Sequence, residues 1–201
     1  TIALSDGRGV KLIGVDSIGR ASTEYGDRLT FTGKQLMGTD SGRAKKPVYS
    51  PDGKMIAACV DKVIDVWDAA SGNLLKTLRG HKNEVATIAF SPDGKTIVSG
   101  SEGWEDAENE SLRIWDVASG KELKAFNRKK DIGTVEFSNN GKFIAFQEWN
   151  NLELLDVLSG KVIKTFDYIA KDVAFSADGK MMAQASGRSR ASIFDTANWN
   201  E

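Results

Sequence analysis

Short apolar runs alternate with turn-forming residues along the whole chain. Runs such as IAF at 88–90, TIV at 96–98 and FIAF at 143–146 are rich in β-branched and aromatic residues. Glycine, proline, aspartate or serine stands at the ends of these runs. Apolar runs this short, closed by turn signals, predict β-strands.

One turn phrase returns at intervals along the chain. It reads SPDGK at 50–54 and 91–95, SNNGK at 138–142, SADGK at 176–180 and, in a shortened form, SDG at 5–7. Glycine takes positive φ at little cost, and proline or aspartate favours a tight reversal, so each copy predicts a turn. Apolar runs stand before and after these copies, which predicts two strands, a and b, around each turn.

A second phrase follows the first at a nearly fixed offset. It reads VWD at 66–68, IWD at 114–116, LLD at 154–156 and IFD at 193–195, whereas the first copy, LTFTG at 29–33, has lost the aspartate. After a Ser-Gly turn, three units continue into a further apolar run, so each unit predicts four strands, a to d. A four-stranded unit every ~40–45 residues is typical of a propeller blade. The predicted blades cover approximately 1–43, 44–80, 81–127, 128–167 and 168–201.

The third unit resembles a WD repeat in several positions at once. It combines Gly80-His81, SPDG at 91–94, Ser99 and Trp115-Asp116. The resemblance implies an all-β propeller of four-stranded antiparallel blades, five of them in this chain. It also implies a structural tetrad of hydrogen bonds between a Trp, a Ser, a His and an Asp. By position these are Trp115, Ser99 and His81, with Asn109 standing where the family has Asp.

The number of repeats bears on whether the ring closes. Five blades fall within the usual range of about four to eight. Thr1 already lies in the predicted strand a of the first blade, and Glu201 follows strand c of the fifth. The sequence therefore favours a larger propeller of which these blades are a part. The alternative is self-association or domain swapping that covers the open faces.

Composition narrows the class of protein without naming a partner. The chain has 201 residues, 40% hydrophobic and 27% charged, and its formal net charge is −1. This balance favours neither a nucleic acid nor a membrane as partner. A single cysteine, Cys59, excludes an intrachain disulfide, and no apolar stretch approaches the ~18 residues of a membrane span. Because nothing in the cysteine usage points to an oxidising compartment, we predict a cytoplasmic location.

The side chains needed for catalysis are scarce. His81 is the only histidine, and its place after Gly80 favours a structural role over that of a general base. One His and one Cys do not complete a zinc site, and the turn phrases lack the spaced carboxylates of a calcium loop. We therefore predict no enzyme activity, no metal and no cofactor. A propeller enzyme that uses a quinone or haem is the disfavoured alternative.

The resemblance implies that d–a and b–c connections emerge on one face of the propeller. Two b–c connections, at 16–26 and 102–110, are expanded, and long loops on a rigid scaffold often bind partners. The b–c connections carry three aromatic residues, Tyr25, Trp104 and Trp149. The d–a loops are basic, and the residues proposed for partner binding there are Arg43, Lys46, Arg128, Lys129 and Lys130.

These loops predict a non-catalytic module or scaffold that binds protein or peptide partners on this face. A basic collar opposite the acidic 102–110 loop leaves an acidic or phosphorylated ligand open, and a nucleic-acid backbone as well. A further alternative is that each aromatic caps only its own loop and that the charges form a solvated surface.

Overall fold

Five antiparallel sheets follow one another along the chain. The computed structural model describes residues 2–5, 10–13, 34–36, 44–102, 111–128, 130–166, 170–186 and 190–200. Neighbours along the chain are neighbours in each sheet, so every sheet is a simple meander. The all-β architecture of antiparallel blades predicted from the sequence is confirmed: the second, third and fourth sheets have four strands, and three strands each are described in the first and the fifth.

The bounds of the strands are as follows. The first sheet contains β1 (Ile2–Ser5), β2 (Val10–Ile13) and β3 (Lys34–Leu36). The second contains β4 (Ala44–Tyr49), β5 (Met55–Val60), β6 (Val63–Asp68) and β7 (Leu74–Arg79). The third contains β8 (Val85–Phe90), β9 (Thr96–Ser101), β10 (Leu112–Asp116) and β11 (Glu122–Phe126). The fourth contains β12 (Ile132–Phe137), β13 (Phe143–Glu148), β14 (Asn151–Asp156) and β15 (Val162–Phe166). The fifth contains β16 (Ala170–Phe175), β17 (Met181–Ser186) and β18 (Arg190–Asp195).

The first sheet matches the sequence prediction only in part. Its third strand, β3, pairs with β2, which places Lys34–Leu36 in the position of strand c. The segment 29–33, in which the sequence predicts this strand, lies outside the described residues.

The a–b turns owe their shape to the repeated serine phrase. In the third sheet the Ser91 hydroxyl donates to the Asp93 carboxylate at 2.7 Å and accepts the Thr96 backbone N–H at 3.0 Å. Gly94 has a φ of +70°, which favours glycine at this position. The same pair of hydrogen bonds recurs at Ser50, Ser138 and Ser176. The phrase is therefore a compact hydrogen-bonded unit that joins strands a and b.

The c–d turns use the aspartate of the second phrase. The Asp116 carboxylate accepts the Ser119 hydroxyl at 2.5 Å and the Ser119 backbone N–H at 2.8 Å. These hydrogen bonds hold the pKa of Asp116 below its usual range. In the fifth sheet Trp199 takes the place of the glycine, at a φ of +57°, and its ring packs edge-on against Phe143 at 5.3 Å.

The hydrophobic core lies between consecutive sheets. Ala57 and Val66 of the second sheet pack with Ile88 and Ile97 of the third. Val98 and Ile114 of the third pack in the same way with Val135 and Ile144 of the fourth, and Ala145 and Leu154 of the fourth with Val173 and Met182 of the fifth. The first strands of consecutive sheets lie closest together, as expected for sheets that radiate from a common axis.

One glycine marks the closest approach between two sheets. A Cβ atom added to Gly100 on β9 would lie 2.3 Å from Cγ2 and 2.6 Å from Cβ of Ile132, the first residue of β12. Such distances leave no room for a methyl group. Gly100 therefore allows the fourth sheet to pack directly on the third.

A half-buried carboxyl group, that of Glu136, lies on the first strand of the fourth sheet. Glu136 on β12 interacts electrostatically with Asp172 on β16 and with Lys46 on β4. Burial, reinforced by the charge of Asp172 and opposed by that of Lys46, raises the pKa of Glu136 from its ordinary value of 4.5 to about 7.

We expect Gly100→Ala to lower the free energy of unfolding by at least about 2 kcal/mol, because the methyl group must displace Ile132. Urea denaturation measures the change. Gly133→Ala is the matched control, since its nearest neighbour would be Cγ of Gln147 at 3.9 Å, an ordinary contact. Equal losses in the two variants would contradict the close packing between these sheets.

We expect stability to depend on pH through Glu136. The stabilisation due to the raised pKa is fully present below pH 4.5 and is lost as pH rises through about 7. Glu136→Gln removes this titration, so the melting temperature of the variant should rise relative to wild type between pH 5 and pH 8. Parallel melting curves at all pH values would show that Glu136 does not titrate there.

Candidate interaction surface

Three of the four predicted tetrad residues meet inside the third sheet. The Trp115 indole N–H donates to the Ser99 hydroxyl oxygen at 2.8 Å, and this oxygen lies 2.6 Å from Nε2 of His81. All three side chains are buried. Asn109 lies outside the described residues, and within the described part of the chain Nδ1 of His81 has no hydrogen-bond partner.

The environment of His81 suits a structural role. Burial, followed by the nearby charge of Arg113, lowers the pKa of His81 to about 3, so the ring is neutral. A Cβ atom on Gly80 would lie 3.0 Å from the Trp115 ring, which explains why the residue before His81 is glycine. The hydrogen bonds of Ser99 therefore tie His81, which lies in the connection from the second sheet to the third, to the strands of the third sheet.

A corner of the fourth sheet carries the most unusual surface residue. This corner, which we call the Trp149 corner, comprises residues 127, 128, 130 and 131 of the d–a connection and the b–c turn at 149–150. The Trp149 side chain is 58% exposed, and its φ is +54°. Nζ of Lys130 lies 4.9 Å from the centroid of the Trp149 ring, within the range of a cation–π contact.

Hydrogen bonds hold the backbone of the Trp149 corner in place. The Trp149 N–H donates to the Asp131 carbonyl at 3.2 Å, and the Trp149 carbonyl accepts Nε2 of Gln147 at 2.7 Å. The Ser111 hydroxyl donates to the Arg128 carbonyl at 2.9 Å. An exposed aromatic ring is thus presented on a backbone with fixed position.

Arg128 is engaged within the protein. Its Nη1 and Nη2 lie 3.3 Å from Glu148 and 3.1 Å from Glu153, and its guanidinium carbon lies 4.8 Å from the centroid of the Phe146 ring. The sequence analysis missed both glutamates. The register of β13 and β14 places Glu153 opposite Phe146, and Glu148 lies two residues further along β13, so the two acids share one face only once these strands have paired. The role of Arg128 in partner binding stays a prediction.

The remaining predicted contact residues divide into two groups. Lys46 has a φ of +46° within an irregularity of β4, and its Nζ lies 3.3 Å from the Thr87 hydroxyl on the inner strand of the next sheet. The others lie outside the described residues: Tyr25, Arg43, Trp104 and Lys129.

A groove on the same face was not predicted from the sequence. It has a volume of about 540 Å³ and lies between the second and third sheets. Its position follows from the b–c turn of one sheet meeting the d–a connection to the next. Its lining residues are Asp61, Lys62, Val63, Arg79, Gly80, His81 and Glu84.

In the described ranges, no group of three or more His, Cys, Asp or Glu side chains is placed to hold a metal ion. Over the same residues, no helix has the length and apolarity to cross a membrane.

We expect Ser99→Ala to lower the free energy of unfolding by about 2–3 kcal/mol, because it leaves buried nitrogens of His81 and Trp115 without their shared partner. Thermal or urea denaturation gives the measurement. Ser101→Ala is the matched control: Ser101 is equally buried on the same strand, and its hydroxyl has no partner within the described residues. If both variants lose the same stability, the hydrogen bonds of Ser99 are not the cause.

Comparison with known proteins identifies the repeat. The family model for the WD domain, G-beta repeat (WD40), matches residues 44–68 and 72–116. The U3 small nucleolar RNA-associated protein 15 homolog of Xenopus tropicalis is 27% identical over 70% of this chain and 27% of its own length.

Two further relatives match shorter parts. An uncharacterized WD repeat-containing protein of Synechocystis is 44% identical over 35% of this chain and 19% of its own length. Eukaryotic translation initiation factor 3 subunit I of Schizosaccharomyces pombe is 32% identical over 46% of this chain and 26% of its own length. The chain thus matches about a quarter or less of each relative. The four-stranded sheets, the repeated turn phrases and these matches together identify WD repeats at 44–68 and 72–116 and support a WD-repeat family for the chain.

Proposed function

We propose that this chain is a non-catalytic scaffold that binds a protein partner through the face of its d–a connections and b–c turns, with Trp149 as the anchor of the contact. The observation that carries the proposal is the combination of exposure, positive φ and fixed backbone at Trp149. The WD-repeat family suggests an interaction scaffold of this kind.

The fold alone gives no reason for a tryptophan at this position. A non-glycine residue at positive φ costs of order 1 kcal/mol or more, and exposure of a large aromatic ring adds no stability. The equivalent turn of the second sheet has the same backbone conformation with a small polar residue, Asp61 at a φ of +50°, so the turn itself does not require an aromatic ring. Strained backbone and exposed aromatic rings are both typical of binding sites, and Trp is enriched among the residues that dominate interfaces.

The charge of the neighbouring Lys130 supports a partner that carries an acidic group. Lys130 is exposed, and among the described residues its ammonium makes no ion pair. A partner carboxylate or phosphate can therefore accept a charge-assisted hydrogen bond from Lys130 while an apolar side chain packs on Trp149. Tyr25, Arg43, Trp104 and Lys129 remain part of the predicted surface.

The relatives support membership in a larger assembly. One is named as associated with U3 small nucleolar RNA and another as a subunit of a translation initiation factor. An assembly of protein or of protein and RNA is the setting we propose. The neutral, buried His81 supports a structural role for this residue, and the cytoplasmic location stays a prediction.

We expect Trp149→Gly to separate binding from stability. Glycine relieves the positive φ, so the free energy of unfolding should stay equal or rise by up to about 1 kcal/mol, while partner binding should fall by about tenfold or more. Denaturation gives the first quantity. Quantitative affinity capture from an extract, with wild type and variant immobilised side by side, gives the second.

The control is Leu158→Gly, a change at another exposed apolar residue, in a c–d turn away from this face. Capture that is unaffected by Trp149→Gly, or lost equally in Leu158→Gly, would contradict the proposal. Lys130→Ala and added salt test the nucleic-acid alternative: binding to RNA should fall steeply with salt, and nuclease treatment should release it. Arg128 is unsuitable for this test because it is paired with Glu148 and Glu153.

A further inference from the structure

The serine turn phrase of the fourth sheet contains an asparagine where the other copies have aspartate. Asn140 stands in this a–b turn at the position of Asp52, Asp93 and Asp178. It is also the only asparagine of the chain that is followed directly by glycine, here Gly141. Its side chain is exposed. The turn therefore combines an accessible side-chain amide with the least hindered neighbour that a chain can supply.

Two hydrogen bonds polarise the side-chain carbonyl of Asn140. Its Oδ1 accepts the Ser138 hydroxyl at 2.8 Å and the Lys142 backbone N–H at 2.9 Å. The aspartates at the same position of the second, third and fifth sheets accept the same pair of hydrogen bonds. Two donors on one oxygen stabilise the negative charge that develops there when a nucleophile adds to the carbonyl carbon.

The groups on either side of this carbonyl suit an intramolecular reaction. The backbone nitrogen of Gly141 is the nucleophile nearest in the chain, and no side chain shields it. In the described part of the chain no hydrogen bond holds Nδ2 of Asn140, so ammonia can leave into the solvent. The Gly141 N–H donates to the Ser138 carbonyl at 2.7 Å. Because this hydrogen bond must open first, the reaction is slower in the folded protein than in the unfolded chain.

We propose that Asn140 is a site of spontaneous deamidation and that the folded turn directs the reaction to aspartate. The Gly141 nitrogen loses its proton to hydroxide and bonds to Cγ of Asn140. The bond between Cγ and Nδ2 breaks, and the nitrogen leaves as ammonia with a proton from water. Water then opens the cyclic imide at Cγ, where the two donors polarise the carbonyl. The bond from Cγ to the Gly141 nitrogen breaks, this nitrogen regains a proton, and the normal main chain is restored.

The product suits the turn better than asparagine does. A carboxylate at this position accepts the Ser138 and Lys142 hydrogen bonds with a negative charge, and charge-assisted hydrogen bonds are the stronger kind. The same hydrogen bonds hold the pKa of Asp52, Asp93 and Asp178 below its usual range. Three other sheets thus favour a carboxylate in turns of the same design.

The alternative product, isoaspartate, does not fit between the neighbouring turns. It forms when water opens the imide at the backbone carbonyl, and it lengthens the main chain by one carbon. Nδ2 of Asn139 donates to the Ser176 carbonyl in the fifth sheet, and a Cβ atom on Gly141 would lie 3.8 Å from Cδ of Pro92 in the third. A longer main chain displaces the turn from these neighbours, so the folded protein favours aspartate.

The experiment compares the native chain with the chain unfolded in guanidinium chloride, both at pH 8. Peptide mapping by mass spectrometry measures the loss of the amide at position 140, and isoaspartyl methyltransferase measures isoaspartate. The native protein should convert slowly, and faster at higher pH because hydroxide removes the Gly141 proton, with aspartate as the main product. The unfolded chain has lost both donors, so isoaspartate should exceed aspartate there.

Two variants and one internal control make the result specific. Ser138→Ala removes one donor and keeps the Asn-Gly pair, so its native ratio of aspartate to isoaspartate should fall by about threefold or more. Unfolded, it should match wild type. Asn140→Asp is the product standard, and its melting temperature should exceed that of wild type by about 2 °C. Asn139, which is not followed by glycine, should keep its amide.

Several outcomes would overturn the proposal. One is an amide at position 140 that stays intact in the native protein over many half-lives of the unfolded sample. Others are isoaspartate as the main native product, or the same native product ratio in Ser138→Ala and wild type. Should circular dichroism show that Ser138→Ala does not fold, a lower melting temperature of Asn140→Asp than of wild type would still contradict the fit of the carboxylate.

Discussion

Contact between consecutive sheets is the interaction on which this structure depends. A four-stranded sheet with apolar residues on both faces has no interior of its own, so each sheet is stable only between neighbours. The clusters around Trp115, around Phe146 and around Phe194 are all shared by two sheets. Stability therefore accumulates from sheet to sheet, and a defect at one interface weakens both of its members.

This packing leaves the connections free to vary. Strands and short turns hold the sheets together, whereas the d–a and b–c connections on one face carry little of the core. That is why a strained tryptophan is tolerated at Trp149, where hydrogen bonds with Asp131 and Gln147 hold the backbone. Such a division between a rigid frame and variable loops is common among binding folds.

The turns could be predicted from the sequence, because only a few residue types fit their backbone angles and hydrogen bonds. The serine phrases and the aspartates before Ser-Gly predicted turns because glycine and short polar side chains are needed at those angles. Side-chain contacts that depend on the register between strands could not be predicted. Arg128 was read as a surface charge because its two glutamates become neighbours only after β13 and β14 pair.

The position of Trp149 on an exposed turn followed from the sequence, but its backbone angle did not. Trp199 is a second residue whose backbone angle could not be predicted. It stands where three sheets have glycine, and its packing on Phe143 explains why a tryptophan is accepted there. Local rules identify where a turn occurs, whereas the side chain that a turn tolerates depends on what lies across the interface.

Two strongly perturbed ionisable groups, His81 and Glu136, have exchanged their usual ranges. A histidine ordinarily changes charge near neutrality and a carboxyl group in acid. Here burial moves His81 into the acid range and brings Glu136 close to neutrality. A change of pH near neutrality therefore alters the charge of Glu136, which interacts with charged groups of two other sheets, and leaves the imidazole of His81 neutral.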